Sequence, residues 1–180
     1  MTEVWNGRWL LGWALLGGVA TLAACSPVFN WRDVGFPGRS LQAMLPCKPE
    51  KAERTVPLAG HRADLHMLSC DAGKLTFAIA ALRKPNDVTA SDVVQAWTQA
   101  GQLSLRAQAD RTRVWMPVLS GMAALKAWQA EGVRHDGSPV LAHVLFLAQG
   151  DDVFQVAVYG PVTPEVLETL VESLRLSPAA

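Results

Sequence analysis

The 180-residue sequence is poor in charge. Only 18% of it is charged, with 16 basic and 16 acidic residues, so the formal net charge is zero. That balance removes any electrostatic ground for nucleic acid as a partner, and none is expected. Cysteine occurs three times, never as Cys-x-x-Cys, which excludes the dithiol motif of redox enzymes. Phosphate-loop, dinucleotide-binding, nucleophile-elbow and His-Glu-x-x-His patterns are all missing. No cofactor, metal set or catalytic set is therefore expected from motifs. Charge is absent altogether from Trp9 to Ala24, and this gap is the most informative one.

What fills it is WLLGWALLGGVATLAA, preceded by Arg8 and followed by Cys25. A basic flank, a short apolar core and small residues before a cut are the parts of a secretory signal. Leu22-Ala23-Ala24-Cys25 resembles the lipobox of bacterial lipoproteins. That resemblance implies diacylglycerol on the Cys25 sulfur, cleavage before it and acylation of the new amino terminus. Several acyl chains at about 0.8 kcal/mol per buried methylene anchor a protein firmly, whereas one does so only marginally. The lipoprotein sorting pattern of Gram-negative bacteria places Asp after the Cys for inner-membrane retention, so Ser26 implies the outer membrane, facing the periplasm. Two alternatives stay open: an uncleaved inner-membrane signal anchor, since 16 apolar residues approach the roughly 17–25 that span a bilayer, and a buried helix that happens to contain Cys. Gly17, Gly18 and Thr21 suit a peptidase site better than a stable span.

This reading divides the chain into a signal peptide (1–24), a lipidated tether leading into the first strand (25–38) and a single domain (39–180). Export leaves Cys47 and Cys70 as an even pair in an oxidising compartment. ERTVPLA and HRADLHMLSC look like two strands folded about Leu58-Ala59-Gly60-His61. Pairing Leu58 with His61 sets Cys70 opposite Pro49, two residues from Cys47, so a disulfide is expected if a bend there supplies the offset. The alternative is two buried free thiols.

Within 26–38, Phe29, Trp31, Val34 and Phe36 are too apolar for a free linker and are expected to pack on the domain. Strands are expected at 40–45, 52–58, 62–70 and 75–82, the last (LTFAIAAL) apolar enough to be central and covered on both faces. Thr89 and Asp92 form a capping-box pattern that opens a helix to about residue 105. Further strands are expected at 111–119, 122–130, 140–149 and 153–159, the last two joined by a hairpin at Gly150-Asp151-Asp152. Thr163-Pro164 opens a second helix, with Glu165 at its positive end and an apolar stripe through Val166, Leu167, Leu170, Val171 and Leu174. The order gives an α+β fold, an antiparallel β-sheet with two main helices packed on it. Phe36-Pro37-Gly38, the run Val156 to Pro161 and the closing Ser173-Leu174-Arg175-Leu176 resemble bacterial lipoproteins with a Mog1/PsbP-like domain. The resemblance implies an α/β/α sandwich and no particular activity, because that fold serves non-enzymatic assembly and binding proteins.

Candidate side chains are scattered. His66 and Cys70 share a strand face beside Met67 and would make a soft metal corner with His143 only if Cys70 were free. His61 and His135 lie near turn signals and read as solvated. Ser120, in Leu-Ser-Gly-Met, reads as a turn residue rather than a nucleophile. Arg106, Arg111 and Arg113 make a basic cluster near Asp110, either an anion patch or a solvated face. Asp151 and Asp152 read as a hairpin tip rather than a carboxylate dyad. Trp31, Trp97, Trp115 and Trp128 either line a groove between sheet and helix or belong to the core. The leading expectation is a membrane-anchored envelope lipoprotein, a non-enzymatic binding or assembly accessory for an envelope protein or apolar ligand. An envelope hydrolase with a site assembled from distant residues is the alternative.

Overall fold

A computed structural model describes residues 28–177. The expected signal peptide, Cys25 and its lipidation lie outside the described residues. Seven strands form one sheet: β3 (Glu50–Leu58), β4 (His61–Ala72), β5 (Leu75–Arg83), β6 (Thr112–Val114), β7 (Lys126–Val133), β8 (Pro139–Gln149) and β9 (Asp152–Tyr159). Their spatial order is β3-β4-β5-β9-β8-β7-β6, with each described pair antiparallel. A smaller sheet sets β2 (Leu41–Leu45) between β1 (Arg32–Gly35) and β10 (Arg175–Leu176). Helix α1 (Ala90–Ser104) covers one face of the large sheet; helix α2 (Pro164–Ser173) and the small sheet cover the other. The α+β expectation is thus met: two helices packed on antiparallel sheet.

Local chemistry explains most of the elements. Leu58 pairs with His61 across Ala59-Gly60, both at positive φ, as a two-residue turn matched to strand twist requires. Gly150 alone takes positive φ in the turn between Gln149 and Asp152, again two residues long. Thr89 accepts from the Asp92 amide while Asp92 accepts from the Thr89 amide, so the capping box closes. Central β5 alternates between two cores: Phe77 and Ile79 face α2 and the small sheet, Ala80 and Leu82 face α1. Burial on both faces is why its sequence is continuously apolar.

Cys47 and Cys70 form a disulfide with Cα atoms 5.9 Å apart. Glu50 pairs with Ser69, so the ladder stops where Cys70 would meet Pro49, and the chain bends there to bring Cys47 across. The bridge ties the end of β2 to β4 and so joins the small sheet to the large one. Phe29 and Trp31 pack on Phe77, and β1 pairs with β2, placing the 28–38 segment on the domain surface as expected.

The strand expected at 111–119 is shorter, and the one expected at 122–130 is shifted to Lys126–Val133. The ladder of β6 ends at Val114, with one further bond from the Trp115 amide to the Ala127 carbonyl at 3.3 Å. Pro117 has no amide to donate, and Ser120-Gly121, with Gly121 at φ +72, turns the chain. Residues 115–125 therefore leave the sheet and cross its α2 side before β7 begins. Strand β10 had no separate signal and replaces what reads as a helix tail.

Candidate functional site

The crossing segment 115–125 is anchored from below. Trp115 sets its ring edge-on to His143 with centroids 5.5 Å apart, and Leu119, Met122 and Ala124 pack on the core shared with α2. The intervening side chains point out: Val114, Met116 and Val118 are 77%, 82% and 89% exposed. Exposed apolar side chains scattered singly are ordinary, but three at alternate positions along one strand end are not.

Open grooves flank this strip. One, of about 660 Å³, lies where the β6 edge gives out, between Gln102 of α1, Arg113, Val114, Lys126 and Trp128. The second, of about 630 Å³, runs between Trp115, Pro117 and Val118 and the Leu167 and Val171 stripe of α2, with Glu168 and Arg175 at its rim. Volumes of this size hold a peptide segment or a small apolar ligand. Of the four Trp considered for a groove, Trp115 and Trp128 line one, whereas Trp31 and Trp97 are stacked into core against Phe77 and Phe146.

His143 is buried on β8 beneath Trp115, and its Nδ1 has no hydrogen-bond partner. Burial pushes its pKa below the usual histidine value, because the cation would lose its hydration without a partner. Ser120 is exposed on the crossing segment, and among the described residues no hydrogen bond joins it to His143. A base needs a proton within reach and an orienting partner, and His143 is given neither here.

The remaining candidates separate in space. Cys70 is consumed by the disulfide, His66 Nδ1 lies 3.1 Å from Glu53, and no group of three metal-binding side chains occurs among the described residues. His61 sits 3.5 Å from Asp87, and His135 is exposed in a turn. Arg111 pairs with Glu131 at 2.9 Å and, with Arg106, borders a separate groove of about 450 Å³, while Arg113 lies at the β6 edge. Asp151 pairs with Lys84 at 3.1 Å. Asp152 is buried against Arg39, with Arg83 3.5 Å away, so the two carboxylates are neutralised separately. The Arg39–Asp152 pair, 113 residues apart, pins the loop before β2 to the β8–β9 hairpin. No protein-family model matches the chain, and no curated protein matches it in sequence.

The exposed strip is the feature that sequence reasoning missed. Its signal was present: from Val114 to Leu119 apolar residues occupy both parities, which a half-buried strand does not show.

Proposed function

We propose that this is a bacterial envelope lipoprotein, held through lipid on Cys25 at the periplasmic face of the outer membrane, that binds a partner protein and performs no catalysis. The observation that carries the binding reading is the exposed Val114, Met116 and Val118 strip with a groove on each side. The Cys47–Cys70 bridge supports an oxidising compartment. No helix among the described residues is long and apolar enough to cross a membrane. The placement of α1 and α2 on opposite sheet faces supports a Mog1/PsbP-like α/β/α sandwich.

Anchoring at Cys25 would hold the domain close to the bilayer. Three residue steps separate Cys25 from Val28, a reach of at most about 11 Å. A partner would then be met at the membrane surface rather than in open periplasm.

Two measurements test this. Labelling cells with an alkyne fatty acid should tag the protein but not its Cys25→Ala form; an untagged wild-type chain retaining Met1 would remove the anchor. A photocrosslinking residue at Val118 should capture a discrete protein that the same residue at exposed Arg54 does not. Equal capture at both positions would remove the binding reading.

A further inference from the structure

The two edges of the seven-stranded sheet are built differently. Edge strand β3 carries Glu50, Lys51, Glu53, Arg54 and Pro57, the charges and proline that keep other chains from adding to an edge. Edge strand β6 carries Thr112, Arg113 and Val114, and continues into exposed Met116 and Val118. Because the Trp115 amide bonds to the Ala127 carbonyl, Arg113 and Trp115 are the positions whose backbone groups face β7. The amide and carbonyl of Val114 therefore point away from the sheet, toward solvent. Exposure keeps alternating from Val114 through Leu119 as the chain leaves the sheet.

We infer that β6 is a docking edge for an extended, acidic segment of a partner protein, which adds to the large sheet as an eighth strand. This deepens the binding reading and rests on it. The charge around the edge selects the ligand. Arg113 and Lys126 line the groove without an ion partner among the described residues. Side-chain parity then sets the pattern of the incoming strand. A carboxylate belongs opposite Arg113, and a small apolar side chain belongs opposite Val114 on the other face. A second copy of the chain fits poorly. It would bring two basic edges together over about five residues, well short of the about 1,200 Å² that stable interfaces bury. Strand addition of this kind draws affinity from main-chain bonds and specificity from alternate side chains.

The test uses full-length protein in detergent and the capped peptide Ser-Thr-Val-Thr-Val-Glu-Ser-Glu. Binding is read by fluorescence anisotropy and by amide hydrogen exchange. The inference expects slowed exchange at the Val114 amide on binding, and about tenfold weaker binding when both Glu of the peptide become Lys. Arg113→Glu, an exposed change that leaves the core untouched, should invert that preference. Protection confined to α2, or equal affinity of the wild-type and Arg113→Glu proteins, would overturn strand addition. So would dimerisation abolished by Arg113→Glu, or flotation with anionic vesicles lost in the same variant. If strand addition fails while Val118 still crosslinks a discrete protein, the partner-binding reading survives. Loss of both removes it too.

Discussion

Replacing Cys47 and Cys70 together with Ala tests how the two sheets are held. The bridge closes a loop of 23 residues that contains β3 and β4 as far as Cys70. In the chain-entropy treatment, releasing a loop of that length frees the unfolded chain by about 3.4 kcal/mol at 25 °C. Cys70 is buried, and the void left by its sulfur adds about a further 1 kcal/mol. The double variant should therefore lose about 4 kcal/mol, or about 10 °C in Tm for a domain of this size. The assay is guanidinium unfolding followed by far-ultraviolet circular dichroism, on full-length protein in detergent without reductant. Wild-type protein brought into dithiothreitol should fall to nearly the same midpoint, because the covalent link and not the residue type carries most of the difference. A loss under 1 kcal/mol would refute the reasoning, since it would mean that the unfolded chain was already as confined as the bridge makes it. Alkylation of both thiols in unreduced, denatured wild type would refute it at an earlier step.

Three other outcomes follow from local geometry. Ala59 sits at φ +48 in the β3–β4 turn, where a Cβ is disfavoured, so Ala59→Asn should raise stability by about 0.5–1 kcal/mol in the same unfolding assay. Gly132 lies against the end of α1, where Val133 donates to the Leu105 carbonyl at 2.7 Å; a Cβ there would land on that oxygen, and Gly132→Ala should cost about 2–3 kcal/mol. His143 has a folded pKa below its ordinary 6.5, so its neutral form is favoured by folding. The unfolded chain then binds the extra proton first: stability present above about pH 6.5 is lost as the pH falls through the unfolded and then the folded value. His143→Leu should flatten the fall in denaturant midpoint between pH 7.5 and 5 relative to wild type, and an unchanged slope would deny the burial effect.

Short-range patterns in the sequence carried much of this architecture. The capping box at Thr89 and Asp92, Pro164 at the start of α2, and the hairpins at Ala59-Gly60 and Gly150-Asp151 each depend on neighbours two to four residues apart. Once Leu58 met His61, the ladder itself carried Cys70 to within a bend of Cys47, so even the disulfide was a local consequence of register. Continuous apolarity likewise marked β5 as central, because a strand covered on both faces has no polar side to show.

Long-range closure was decided only by the folded chain. Nothing near Arg39 announces Asp152, and nothing in Arg175-Leu176 announces a third strand beside β2, because those partners lie more than a hundred residues apart in the chain. The same holds for residues 115–125. A periodic apolar run reads as a strand, yet the ladder stops at Trp115 because Pro117 cannot donate and the α2 face of the core needs a cover. Side-chain chemistry specifies which backbone angles are cheap over a few residues. Which surfaces end up buried against one another, and which strand edge is left open, depends on filling two cores at once, and that is a property of the whole chain.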